Sequence, residues 1–125
     1  PAYQAANRAI ADVSELRLLL DMQEEHYRLL LPYVAALPAG APLNVITAST
    51  MVLACLSDSL TPTQAAALVE GRGRDGYRDV QSFLSQPVLA GSGLAATNLG
   101  VGSQYFRAYS EVRQGEHRLL LSSTL

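Results

Sequence analysis

The first part of the chain carries short apolar stretches at helical spacing, separated by residues that favour turns. A first helix is predicted to begin at Asp12, because Asp12 can cap the helix and Glu15 follows three residues later. The apolar run 16–20 continues this element, and Asp21 offers a turn after it. The pattern therefore predicts a short helix followed by a tight turn.

A second helix is predicted from near Gln23, with one apolar face that suits a core. That face comprises Tyr27, Leu30, Leu31 and Val34. Pro32 lies within the span and lacks a backbone N–H, so we expect a kink or a restart of the helix there. Two prolines and a glycine then mark residues 38–42 as a linker, which ends the first helical hairpin unit.

The same arrangement repeats after the linker and predicts a second hairpin unit. Thr47 is predicted to cap a helix that runs to about Leu56, with residues 57–59 as the turn. Its inward-facing residues are expected to be Met51, Val52, Cys55 and Leu56. As a lone cysteine between apolar neighbours, Cys55 is expected to be a small buried residue.

The next helix has the clearest start signal in the chain. Thr61 is expected to cap it, Pro62 to occupy its first position, and Gln64 to complete a capping box. The helix is expected to end at one of three nearby glycines, Gly71, Gly73 or Gly76. One further helix is predicted near residues 79–85, before Pro87.

Beyond residue 100 the pattern changes from helical to extended. Residues 105–113 are rich in aromatic and β-branched side chains, 114–115 supply a turn, and 116–125 form a second extended run. The fold class is therefore expected to be α+β, with a mainly helical domain of residues 1–100 followed by C-terminal strands in 101–125. Because an isolated two-stranded hairpin is marginally stable in water, these strands need partners.

Composition and charge argue against a nucleic-acid-binding protein. The formal charge is −2, and the chain has nine arginines but no lysine to form a basic face. A helix-hairpin-helix module that binds DNA usually has glycines between its helices, whereas the two turns here carry Asp21 and Asp58. The one basic cluster, Arg72, Arg74 and Arg78, is interleaved with acidic residues and is expected to be a solvated surface. A DNA-binding module nevertheless remains the alternative function.

Catalytic and metal-binding motifs are absent from the sequence. The two histidines, His26 and His117, lie in a predicted helix and a predicted strand, and no nucleophile elbow or phosphate loop accompanies them. No cysteine and histidine set suits zinc, and no EF-hand loop suits calcium. No apolar run approaches the roughly 18 residues that span a bilayer. We therefore expect a protein that is not an enzyme. Oxygen ligands for calcium scattered over loops stay an open alternative, because sequence spacing does not reveal them.

The order of motifs resembles the minor pseudopilin K family of bacterial type II secretion systems over nearly the whole chain. The residues that carry the resemblance are 12–18, Tyr27, 31–34, 37–38, 42–45, 47–48, 52–53, 67–69, 83–84, 103–106 and the closing hairpin with its arginines. Departures occur at Asp21, where the family has glycine, at Ile46, and at Ser57 and Asp58.

The resemblance implies a structural role. It implies a helical domain inserted ahead of a pilin-type β-hairpin, whose companion strands and membrane helix lie upstream. The protein would be the periplasmic domain of an inner-membrane-anchored subunit, with the membrane reached only through that helix. It would cap or initiate the pseudopilus at its tip, with the minor pseudopilins I and J as partners. Family members are associated with calcium, for which no ligand is assigned here. Tyr105, Phe106 and Tyr109 are the candidate partner-binding residues, since aromatic side chains suit both interfaces and cores.

Overall fold

Helices and strands are both present in the computed structural model, which describes residues 7–125. The contacts divide the chain into two compact units, one ending at Ala39 and the other spanning Gly40–Leu125. This mixture of helices and strands confirms the predicted α+β class. The division into a helical domain of 1–100 and strands in 101–125 stays a prediction.

The first unit begins with the predicted capped turn. A 3₁₀ helix spans Val13–Leu18, and Asp12 and Glu15 form both halves of its capping box. The predicted start is therefore correct, although the element is the tighter 3₁₀ form. Helix α1 follows at Glu24–Leu30, and a 3₁₀ turn at Leu31–Tyr33 contains Pro32. The restart expected at Pro32 is confirmed.

Polar contacts link the two elements of this unit. Glu24 accepts hydrogen bonds from Arg28 at 2.9 Å and from Arg17 at 3.0 Å. Desolvation would raise the pKa of Glu24, but the hydrogen bonds from Arg28 and Arg17 lower it below its usual value. The guanidinium of Arg17 also lies 4.3 Å from the ring centre of Tyr27, which is buried.

The predicted apolar face of this helix is wrong beyond Tyr27. Leu30, Leu31 and Val34 are all exposed. The helix ends at Leu30, and Val34 has extended backbone angles. These residues therefore do not share one helical face.

Helix α2 of the second unit spans Thr50–Ala54 and is capped by Ser49 rather than by Thr47. The later start changes which residues face inward. Leu53 is completely buried, whereas Met51 and Cys55 are exposed. The prediction that Met51 and Cys55 face a core is therefore wrong, and only the half-buried Val52 and Leu56 of the expected set contact the core.

Helices α3 and α4 follow the predicted signals closely. Helix α3 spans Pro62–Gly71, with the capping box of Thr61 and Gln64 in place. Helix α4 spans Val80–Leu84, and the amide of Ser82 donates to the carboxylate of Asp79 at 2.7 Å. Together with α2 they enclose one core, formed by Val45, Ala48, Leu53, Leu60, Ala65, Leu68, Tyr77, Phe83 and Leu89.

A short parallel ladder joins the two ends of this helical segment. Strand β1, Leu43–Asn44, pairs with β2, Leu99–Gly100. The amide of Leu43 donates to the carbonyl of Asn98 at 2.7 Å, and the amide of Val45 donates to Gly100 at 2.9 Å. The two ends of the segment 43–100 therefore lie side by side.

The predicted terminal hairpin is present. Strand β3, Arg107–Gln114, pairs antiparallel with β4, His117–Thr124. The register places the turn at Gly115 and Glu116, one residue later than predicted. Gly115 has a φ of +59°, which suits the first central position of a type II′ turn. No helix of residues 7–125 is long and apolar enough to cross a membrane.

Candidate protein interaction surface

The terminal hairpin has two faces of different chemistry. Phe106 and Leu125 exchange backbone hydrogen bonds of 3.0 and 2.8 Å, which fixes the alternation of side chains along both strands. One side, here called the apolar face, carries Phe106, Ala108, Val112, Leu119, Leu121 and Leu125. The opposite side, here called the arginine face, carries Arg107, Tyr109, Glu111, Arg113, Arg118 and Leu120. The hairpin is therefore amphipathic.

The apolar face is not covered by the part of the chain that the structure describes. Its large side chains, Phe106, Val112, Leu119, Leu121 and Leu125, are each more than half exposed. A contiguous row of apolar residues of this kind marks an interaction surface, because soluble proteins rarely leave such rows in water. Both outer edges of the two-stranded ladder are also unpaired within residues 7–125. The hairpin therefore offers both side chains and backbone groups to another structure.

The arginine face contains an ordered ion-pair network. The Nε and Nη2 atoms of Arg118 lie 3.0 and 3.1 Å from the two carboxylate oxygens of Glu111, a bidentate arrangement. Arg113 also donates to Glu111. Arg107 forms no ion pair with any residue in 7–125. This face therefore has an excess of positive charge.

The structure does not bring the three predicted partner-binding residues together on one surface. Tyr105 precedes the hairpin and is half-buried. Phe106 is exposed on the apolar face, and Tyr109 is exposed on the arginine face. Their role in partner binding stays a prediction, but no single flat partner surface can cover both Phe106 and Tyr109.

The first unit has exposed apolar residues of its own. Leu18, Leu19 and Leu20 follow one another at the end of the 3₁₀ helix, and all three are exposed. A separate open groove of about 360 Å³ is lined by Ile10, Val13, Leu16 and residues 34–37. The first unit therefore also has exposed apolar residues close to ion pairs, among them Arg17 with Glu24 at 3.0 Å.

The two predicted turns each carry an aspartate, Asp21 and Asp58, in place of a glycine. Asp21 has a φ of +62°, the left-handed region in which glycine is usual. In the turn after α2, the amides of Ser59 and Leu60 donate to the hydroxyl and the carbonyl of Ser57 at 3.3 and 3.0 Å. These amides are already used inside the turn.

The basic cluster is partly structural. Arg72 is half-buried and donates to the carbonyl of Ala48, and its Nε is buried without a hydrogen-bond partner. Burial lowers the pKa of Arg72. Arg78 pairs with Asp79 at 3.3 Å, as expected for a solvated surface of mixed charge, whereas Arg72 departs from that expectation.

The structure brings no catalytic or metal-binding set together in residues 7–125. His26 lies in α1, His117 lies in β4, and Cys55 is exposed at the end of α2. No group of three or more histidine, cysteine, aspartate or glutamate side chains in this part of the chain is suited to hold a metal ion. No such cluster is therefore available for the calcium that the resemblance implies.

Comparison with known families decides what kind of protein carries this hairpin. Two models of the type II secretion system protein K family match the chain, one over residues 43–102 and one over residues 1–39. The chain belongs to the type II secretion system protein K family. The resemblance to minor pseudopilin K is therefore confirmed.

Individual protein K relatives support the assignment. Type II secretion system protein K of Pseudomonas aeruginosa is 48% identical over 125 residues, and that of Klebsiella pneumoniae is 37% identical over 132 residues. Each match covers the whole chain but only 37% and 40% of the relative. The chain therefore spans well under half the length of these protein K sequences.

A solved structure matches as well. It is the GspK-GspI-GspJ complex from the type 2 secretion system of enterotoxigenic Escherichia coli. The matched chain has a TM-score of 0.77 and 32% identity, and the match covers 98% of this chain and 45% of that chain. The likeness to this solved structure thus includes residues of both units.

Sequence reasoning missed most residues of the apolar face. Val112, Leu119, Leu121 and Leu125 were not among the candidate residues. Their alternation with polar residues in β3 was a usable signal, but Leu119, Leu120 and Leu121 are consecutive in β4. Only the pairing register shows that the middle leucine faces the opposite way.

Proposed function

We propose that this chain is the periplasmic part of an inner-membrane-anchored minor pseudopilin, which acts at the tip of the type II secretion pseudopilus in the export of folded proteins. Its role there is structural rather than catalytic. The observation that carries the proposal is the exposed apolar face of the hairpin, which a free-standing domain would not leave in water. A surface of this kind suits a domain that further elements of a longer pseudopilin complete.

The hairpin would complete a pilin-type sheet. Strands β3 and β4 have unpaired edges and an uncovered apolar face, so companion strands and a packing helix would satisfy both. The matched relatives are more than twice as long as this chain, which leaves room for such elements. Residues 1–100 would then form the helical domain ahead of the last strands, built of two helix-hairpin-helix-like units.

The proposed partners are the minor pseudopilins I and J. The matched solved structure is that of a complex of GspK with GspI and GspJ. By analogy, this protein would form a ternary complex with its own I and J subunits. Its helical part would be a bulky head that prevents further subunits from adding above it, so that the complex both caps the pseudopilus and initiates its assembly.

The alternative, a DNA-binding hairpin module, is disfavoured by the turn after α2. A phosphate there would meet Asp58, and the amides of Ser59 and Leu60 already donate to Ser57. Since phosphate neutralisation supplies most of the affinity of such modules, a turn that carries an aspartate and uses two of its amides internally is a poor site. An electrophoretic shift at low salt distinguishes the two functions, because retention of duplex DNA would favour the alternative.

Co-purification tests the proposed function directly. The full-length protein, expressed with tagged I and J pseudopilins from the same bacterium, should elute with both as one ternary complex. A major pseudopilin from the same system, tagged in the same way, serves as the matched control for non-specific pilin contacts. Elution of the I and J pair without this protein would remove the functional proposal and leave the family and fold unchanged.

A further inference from the structure

The arginine face of the hairpin concentrates positive charge in a chain that is negative overall. Three of the nine arginines, Arg107, Arg113 and Arg118, lie on this one side of two strands, with Glu111 as the single carboxylate among them. The formal charge of the whole chain is −2. The face therefore differs in sign from the molecule that carries it.

The placement of two of these arginines is unfavourable for the hairpin itself. Arg113 and Arg118 are directly opposite each other in the register. They form a non-hydrogen-bonded pair, the kind in which side chains approach most closely, and like charges in that position destabilise a hairpin. Their arrangement is therefore not explained by strand pairing.

Glu111 offsets this repulsion and fixes the arginines in position. It accepts one hydrogen bond from Nη2 of Arg118 and one from Arg113, and Nε of Arg118 lies 3.0 Å from its other carboxylate oxygen. The side chains of Arg113 and Arg118 remain 72% and 57% exposed, and the outer N–H groups of both guanidinium groups form no hydrogen bond within residues 7–125. Two oriented guanidinium groups are thus ready to donate to carboxylates of another molecule.

The remaining residues of the face favour a protein partner over a polyanion. Tyr109 and Leu120 are exposed beside the arginines, and tyrosine and arginine are the residue types that contribute most to protein interfaces. Glu111 at the centre would repel phosphate groups, whereas in a protein interface it holds the arginines. A flat acidic protein surface therefore fits better than nucleic acid or an anionic membrane.

We propose that the arginine face binds an acidic surface on a neighbouring protein subunit, while the apolar face packs within the pseudopilin itself. The inference rests on the proposed function in one respect, namely that the neighbour is a subunit of the pseudopilus tip. Tyr109 belongs to the intermolecular side of the hairpin, and Phe106 belongs to the intramolecular side.

The test measures binding of the purified I and J pair to the full-length protein and to Arg113→Gln/Arg118→Gln. At 50 mM salt the double variant should bind roughly tenfold more weakly, because charges at a solvent-accessible interface act strongly at low ionic strength. At 500 mM salt the two proteins should differ by less than about threefold. Arg74→Gln/Arg78→Gln is the matched control, with the same change of charge in the same unit and no expected loss of affinity.

Folding and the nature of the ligand are checked separately. The thermal midpoint of the double variant should stay close to that of the unmodified protein, because removing the opposed like charges offsets the loss of their exposed ion pairs with Glu111. Arg113→Lys/Arg118→Lys keeps the charge but loses the bidentate geometry, so an intermediate loss of affinity is expected.

Each other outcome has a definite meaning. Equal affinity and equal salt dependence of the double variant and the unmodified protein would overturn the inference and leave the proposed function standing. Failure of the unmodified protein to bind the I and J pair would overturn both. Binding of phosphatidylglycerol vesicles or duplex DNA that depends on the same two arginines would replace the acidic protein surface with a polyanion.

Discussion

Replacing leucines in β4 tests whether the apolar face of the hairpin is covered in the whole protein. Leu119 and Leu121 lie on the apolar face and are 56% and 53% exposed. Leu120 lies between them on the arginine face and is 63% exposed. Because the three residues are neighbours with similar exposure, Leu120→Ser is a matched control for Leu119→Ser/Leu121→Ser.

The expected magnitude follows from the surface that remains to be buried. Complete burial of a leucine side chain contributes about 1.5–3 kcal/mol. Since about half of Leu119 and of Leu121 is still exposed, covering the rest would add about 1 kcal/mol for each residue. The double variant should therefore lose about 2 kcal/mol more unfolding free energy in the full-length protein than in the 125-residue chain. For Leu120→Ser the two losses should agree within about 0.5 kcal/mol.

Urea unfolding of both lengths, followed by circular dichroism, measures these differences. For the full-length protein and for the 125-residue chain separately, the unfolding free energy of the variant is subtracted from that of the unmodified protein. These two differences are then compared, so the different total stabilities of the two proteins do not matter. An equal loss in the two lengths for Leu119→Ser/Leu121→Ser would show that nothing covers the apolar face. If Leu120→Ser showed as large an additional loss of unfolding free energy in the full-length protein as Leu119→Ser/Leu121→Ser, the assignment of these leucines to opposite faces would be refuted.

Three further predictions concern the second unit. Thr61→Ala should lower its unfolding free energy by about 1 kcal/mol in urea, because the cap on the Gln64 amide is lost, while Thr61→Ser should change little. Hydrogen bonds from the Ser82 hydroxyl and amide lower the pKa of Asp79. The ionised Asp79 carboxylate therefore stabilises the fold above the usual carboxyl pKa, and this stabilisation is lost as pH falls through the lowered pKa. In Asp79→Asn, the thermal midpoint should therefore fall less steeply as pH is lowered than in the unmodified protein. An unchanged slope would show that Asp79 does not stabilise the fold in this way. The exposed Cys55 should react with Ellman's reagent without denaturant, and a reaction that needs urea would contradict its placement.

Helix starts were predictable from the sequence because their signals are local. The capping boxes at Asp12 and at Thr61 each involve side chains and amides within three residues, so no tertiary information is needed to recognise them. The same holds for the hairpin, where alternating strands flank one glycine turn. Thr47 and Ser49 are both suitable caps for α2, and the local sequence does not decide between them. Because the helix begins after Ser49, its inward face differs from the face predicted for a start at Thr47.

Features that depend on distant pairing were not predictable. Strand β1 pairs with a strand more than fifty residues later, and neither two-residue strand has a pattern of its own. The opposite orientations of Phe106 and Tyr109 depend on the hairpin register, so composition alone grouped them as one aromatic site. The composition of the apolar face and of the arginine face depends on the same register.

The β1–β2 pair closes residues 43–100, the larger part of the helical segment ahead of the terminal hairpin. Without such closure, a flexible segment of this length would add loop-closure entropy to the pairing of strands on either side of it. Here the backbone hydrogen bonds at Leu43 and Val45 close the segment, and the side-chain amide of Asn44 donates to the hydroxyl of Ser103 at 2.8 Å. Residues 43–102, the span matched by one family model, coincide with this closed segment. Since its ends are held by its own contacts and its core lies within it, the helical segment can vary in sequence without disturbing the strands that follow.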